Sequence, residues 1–123
     1  MVNSADAALT THHMKFTAHD DRVMSFGENT FDETDIDRRD DVERLGFDVI
    51  SGKFSAATQS WTFYLSVARR GGLLHAKVHE VSDTQYVGRV TGGSGRFKGA
   101  RGTVTLQNVQ GVGRRVVVTY TLP

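Results

Sequence analysis

Apolar residues in this chain recur at every second position in short runs, and clusters of Gly, Ser, Asp and Asn separate the runs. The clearest case is "SWTFYLSVA" (60–68), where Trp61, Phe63, Leu65 and Val67 share one phase. After "RRGG", the run "LLHAKVHEV" (73–81) places Leu74, Ala76 and Val78 together. A period of two belongs to half-buried strands, and paired glycines between two such runs predict a hairpin turning at Gly71 and Gly72. Weaker runs read the same way: "HHMKFTA" (12–18), "RVMSFGENTF" (22–31), "LGFDVISGKFS" (45–55), "TQYVGRVT" (84–91), "GARGTVTLQNV" (99–109) and "RRVVVTYTL" (114–122). Almost no helical period is present. About eight strands with short connections predict an antiparallel sandwich or a closed barrel. One segment breaks the pattern: Asp32 to Glu43, "DETDIDRRDDVE", is crowded with acids and lacks an apolar period, so it reads as a solvated loop, with a lid over a mouth as the alternative.

The glycines need their own explanation. Gly88 to Leu106, "GRVTGGSGRFKGARGTVTL", carries six glycines and four cationic side chains. A phosphate-binding Walker loop requires G-x-x-x-x-G-K-[ST] ahead of a helix, and the dinucleotide fingerprint requires G-x-G-x-x-G opening one. Neither spacing occurs, and "GTVTLQNV" proceeds at the pace of a strand. What remains is a corner: Gly92, Gly93 and Gly95 free to take positive φ at a turn, Phe97 folding back onto the core, and Gly99 and Gly102 letting a strand bend.

Length and composition narrow the class. A chain of 123 residues has the size of one domain, with residues 1–11 expected to be a flexible N-terminal segment. The absence of cysteine excludes disulfides and thiolate metal sites. The sequence has no run of the ~18 apolar residues that span a bilayer, and its first residues lack the pattern of a secretory signal, so a soluble, cytoplasmic protein without membrane contact is expected. Net charge is +1, but residues 1–48 hold twelve acids against five bases and residues 49–123 hold ten bases against two acids. Aromatic residues are not interleaved with the basic ones, which argues against nucleic acid. The split suits two opposite walls of one body, or neighbouring subunits.

The glycine corner is also where the chain resembles a known family. "VTGGSGRFKGARGTVTLQNV" is similar to the allene oxide cyclase signature V-T-G-G-[ST]-G-x-F-x-G-x-x-G-x-V, and "GRFKGARG" resembles the G-x-F-x-x-A-R-G corner of dirigent proteins. "RLGFDVISGKF", "SWTFYLSVARRGG" and "RRVVVTYTLP" resemble other strands of that barrel, so the likeness extends over most of residues 22–123. It implies an all-β fold, a closed antiparallel eight-stranded calycin-like barrel, commonly a homo-oligomer (dimer or trimer). It also implies a cofactor-free cyclase or isomerase that folds a reactive hydrophobic, polyketide-like intermediate and directs stereoselective ring closure. Its compactness and missing plant targeting segment resemble the bacterial branch, which includes spirotetronate-type polyketide cyclases. Arg101 matches the arginine of the dirigent motif.

Such chemistry needs walls and a few polar groups rather than a nucleophile. The candidate walls are Phe31, Phe47, Trp61, Phe63, Leu65, Leu74, Val118 and Tyr120, with Val116 beside them. Glu80 falls in phase with Leu74, Ala76 and Val78; an inward carboxylate at the end of an apolar wall is suited to general acid or base work. Tyr86 and Asn29 are candidate donors to an oxyanion or a held water. "FGENTFD" resembles the F-T-N-K-L-Y-D strand of the plant cyclases, with Asn29 one residue out of step. No metal is expected: His75 and His79 would share a helical face, but on a strand four residues span about 13 Å. His12 and His13 would point to opposite faces. No G-x-S-x-G elbow supports a hydrolase. The remaining alternative is a non-catalytic, dirigent-like or carrier barrel for a small apolar ligand.

Overall fold

The computed structural model describes residues 9–40 and 42–123. Eight strands follow one another around a closed antiparallel barrel: β1 (Thr11–Ser25), β2 (Thr30–Arg39), β3 (Glu43–Ser55), β4 (Ser60–Arg69), β5 (Gly72–Glu80), β6 (Gln85–Gly95), β7 (Arg101–Val109) and β8 (Gly113–Thr121). The ring closes between β1 and β8, from Thr11 opposite Thr121 to Ala18 opposite Arg114, which leaves no sheet edge unpaired. The described residues contain no helix long and apolar enough to cross a membrane.

Alternation does what the sequence predicts in β4 and β5. Phe63, Leu65 and Val67 pair with Val78, Ala76 and Leu74, and all six are buried in the lumen. Val104 and Leu106 of β7 and Val116 and Val118 of β8 complete this apolar wall.

The first strands are arranged differently from the reading above. The runs 12–18 and 22–31 are not two strands: all of the first and the opening four residues of the second lie in the long β1, whose register shifts between Asp20 and Arg22, and the rest of the second crosses the turn into β2. Such a bulge lets one strand bend around a small barrel. The count of eight is restored by the acidic segment, which is not a solvated loop. It forms β2 and leads into β3, and Glu33, Asp35 and Asp37 are 3%, 0% and 0% exposed. Its alternation is in burial rather than hydropathy, since Phe31, Glu33, Asp35 and Asp37 share the inward phase. Of the expected flexible segment, residues 1–8 lie outside the described residues, and Thr11 already belongs to β1.

The glycine corner seals one end. Gly92 and Gly93 remain within β6, and the turn itself lies between Gly95 (φ 60°) and Gly99 (φ 75°), conformations that side chains disfavour. Phe97, at its centre, folds back to 1% exposure and meets Tyr120 edge-on at 5.9 Å. A Cβ at Gly93 would stand 2.5 Å from the Phe97 carbonyl oxygen, so this close approach needs glycine.

Candidate active site at the open end of the barrel

The opposite end is open, and strand register determines what gathers there. Phe31 enters from the start of β2, Trp61 and Phe63 from the start of β4, Glu80 from the end of β5, Tyr86 from the start of β6 and Arg114 from the start of β8. The rings form one cluster: Phe31 lies 5.4 Å from Trp61 and 5.5 Å from Phe63, and Phe63 stacks on Tyr86 at 4.3 Å. Gly52, opposite both Phe31 and Phe63 in the ladders, makes the cluster possible, because a Cβ there would stand 2.2 Å from Phe31 Cε1. A cleft of about 410 Å³ opens over the cluster, bordered by Asp20, Val23, Phe31, Glu33, Trp61 and Arg114.

Glu33 and Arg114 are the polar pair of this cleft. The Arg114 guanidinium donates to Glu33 Oε2, lies 3.3 Å from Asp20 Oδ1 and 4.0 Å from Asp35 Oδ1, and covers the Phe63 ring at 5.7 Å. Burial pushes the Glu33 carboxyl up to about 9; Asp35 adds to the rise, and Arg114 opposes it. Glu33 therefore carries a proton at neutral pH, the state a general acid requires. Burial alone would lower Arg114, but the charges of Glu33, Asp35 and Asp20 outweigh it and hold it raised. Asp20, Glu33 and Asp35 bring carboxyl oxygens within 4.8 Å of one another, and the cation among them is this guanidinium.

More carboxyls lie deeper in the barrel. Asp48 of β3 stands directly opposite Asp35, and Asp37 pairs with Arg69 at 2.8 Å; the three carboxyls are buried. Arg69 also covers the Phe16 ring at 4.6 Å. Burial pushes Asp48 up to about 12, with Asp37 and Asp35 adding to the rise. Burial also raises Asp35, opposed by the neighbouring Glu33 and Asp48 carboxyls and by the charge of Arg114.

The structure divides the residues expected from the sequence. Phe31, Trp61, Phe63 and Tyr86 do meet at one site. Burial raises the Tyr86 phenol, Glu80 adds to the rise, and Arg114 opposes it. Glu80 is half-buried at the rim and accepts a hydrogen bond from the Trp61 N–H at 3.2 Å, so it braces the mouth. Leu65, Leu74 and Val118 point inward as packed core, and Tyr120 lies at the sealed end beside His12 and Phe97. Two expectations are corrected. Phe47 is 48% exposed on the outer face, because Asp48 and Ile50 hold the inward phase of β3. Asn29 is exposed in the β1–β2 turn, where its backbone oxygen accepts from Phe54 N at 2.9 Å; "FGENTFD" turns at Gly27 (φ 95°) rather than running as a strand. His75 and His79 face outward on β5, His75 bonded to Ser66 at 2.9 Å, and Arg101 is exposed at the start of β7.

Sequence reading missed Glu33, Asp35, Asp37, Asp48, Arg69 and Arg114. The available signal was the two-residue phase of "FDETDID", joined to arginines in the inward phase at the end of β4 and the start of β8.

No protein-family model matches this chain, and no curated protein matches it by sequence. Solved structures do match. A pyocyanin demethylase superposes with a TM-score of 0.75 at 18% identity, covering 89% of this chain and 100% of that one. A pterocarpan synthase dirigent protein superposes with a TM-score of 0.66 at 16% identity, covering 94% and 84%. At these identities the shared feature is the barrel. The dirigent resemblance thus holds for the fold, whereas no sequence match accompanies the allene oxide cyclase resemblance.

Proposed function

We propose that this barrel is a cofactor-free cyclase or isomerase. It takes the reactive end of a hydrophobic, polyketide-like molecule into the open mouth and directs its ring closure by general acid catalysis. The observation that carries this reading is a Glu33 carboxyl only 3% exposed, raised by its burial, bordering an aromatic cleft beside Arg114. Phe31 and Trp61 hold the guest by apolar contact and restrict its shape. Glu33 gives its proton to a carbonyl or epoxide oxygen of the guest, and Arg114 stabilises the carboxylate left behind. An internal hydroxyl or carbon nucleophile then adds to the electron-poor centre and releases one proton, which returns to Glu33. The guest is isomerised without any oxidant, and the enzyme is restored. The names of the two solved barrels, a demethylase and a synthase, support a small-molecule guest but not a particular one.

Apolar surface at Phe47, Tyr64 and Leu73 on the outer face supports a homo-oligomer as part of the proposal. The second reading, a dirigent-like carrier, rests on the packed interior below the cleft. Product stereochemistry from a linear precursor decides between the two. Glu33→Gln is expected to slow closure by about 10²- to 10⁴-fold while the guest still binds. An unchanged rate and isomer ratio would leave only the carrier.

A further inference from the structure

Both carboxyl oxygens of Asp35, and both of Asp48, are buried without any hydrogen-bond partner among the described residues. An ionised carboxylate only accepts, so four such oxygens facing one another would each lack a donor, at a cost few folds sustain. Apart from Arg114, whose guanidinium stands 4.0 Å from Asp35 Oδ1, the polar groups within reach among the described residues are other carboxyls, Asp37 beside Asp48 included. Asp35 is paired with Asp48 across β2 and β3, and Glu33, two residues along the same inward face, places an oxygen within 4.8 Å of Asp35. Donors exist in this cluster only if some of these carboxyls carry protons.

We propose that Glu33, Asp35 and Asp48 form a chain in which Asp35 is the ionised acceptor of two hydrogen bonds, one donated by the Glu33 carboxyl and one by the Asp48 carboxyl. Charge balance leads to the same assignment. Two guanidiniums are held inside, and Arg69 is taken by Asp37. Arg114 is left to balance one carboxylate among Glu33, Asp35 and Asp48, because Asp20 stands 60% exposed and is screened by water. Placing that charge on Asp35, in the middle, gives both neighbours an acceptor. The other charged groups acting on the chain are Asp20 from β1, Asp37 from β2 and Arg114 from β8; Arg69 from β4 reaches it through Asp37, Tyr86 from β6 faces Arg114 and Glu80 from β5 faces Tyr86, and β7 contributes the neutral Asn108, opposite Arg114 in register.

Asp48 touches no guest and is a positioning residue. Its proton keeps Asp35 ionised, and the charge of Asp35 keeps the proton on Glu33 against the pull of Arg114. The role of Glu33 as acid rests on the function proposed above, but the chain does not, so its test uses no guest. Carboxyl-labelled full-length chain is titrated by carbon NMR, following Glu33. In the unaltered protein Glu33 is expected to be protonated at pH 7. Asp35→Asn removes the anionic neighbour and is expected to lower the Glu33 midpoint by about two pH units. Asp48→Asn, whose amide still donates to Asp35, is expected to leave it within about one unit. Asp48→Leu removes the donor, shifts a proton onto Asp35, and is expected to act like Asp35→Asn. Should the leucine variant fail to fold, the two asparagine variants still decide. An ordinary carboxylate titration of Glu33 in the unaltered protein, or no movement in Asp35→Asn, overturns the chain. An intact chain in a protein that closes no ring would instead overturn only the functional reading.

Discussion

Two walls of this barrel obey the same two-residue period and bury different chemistry. On β5 the inward positions are Leu74, Ala76 and Val78; on β2 they are Glu33, Asp35 and Asp37. Which residues are buried is settled by the pleat and the closure of the ring, not by their affinity for water. The apolar wall gains stability directly from area removed from water. The acidic wall is tolerated because guanidiniums arrive from β4 and β8 at the matching height and because protons neutralise the rest. One wall makes the barrel stable, and the other holds the groups to which the proposed function assigns the chemistry.

That contrast can be broken by experiment, beginning with the largest change. Arg69→Ala strands Asp37 without its partner in the interior and is expected to cost about 3–5 kcal/mol in denaturant unfolding. Replacing Asp37 and Arg69 together by Leu and Met should recover most of that loss, which shows the pair to be a mutual dependence. In the apolar wall, Leu74→Ala is expected to cost about 3 kcal/mol through its cavity, with no remedy from a second polar change. The next effect is set by pH. Glu33 binds its proton more tightly in the fold than its ordinary value of 4.5, up to about 9. Its contribution to stability is therefore full below that ordinary value and is lost as pH rises through the window up to 9. Unfolding free energy should fall by up to about 1.4 kcal/mol per pH unit for each such proton, and Glu33→Gln should flatten the slope. A stability that climbs with pH across that window would contradict a neutral Glu33. The smallest change is Gly52→Ala, expected to cost about 1–3 kcal/mol by overpacking and to displace Phe31 from the mouth, visible as altered Trp61 fluorescence.

The sequence carried the barrel because seven of its runs each announce one strand by hydropathy, and because the corner from Gly92 to Gly102 leaves few other uses for so many glycines. It concealed the acidic wall for a physical reason. Hydropathy patterns assume that inward means apolar, so "FDETDID" looked like water-facing chain although its phase was as regular as that of "SWTFYL". The aromatic half of the site was legible, since Trp61 and Phe63 sit in a strong alternation. The ionic half was not, because Arg114 comes to Glu33 from 81 positions away and only ring closure joins them. Asn29 was misplaced by reading a turn as a strand, and Phe47 by a run with apolar residues in both phases, where one step of register exchanges inside for outside.

Phe97 has one more effect. A vessel stoppered at its base has a single door, so whatever enters head first must withdraw by the same route before a successor can be admitted. For the guest proposed above, this means that only the tip of a long molecule would be enclosed while its tail trails into solvent.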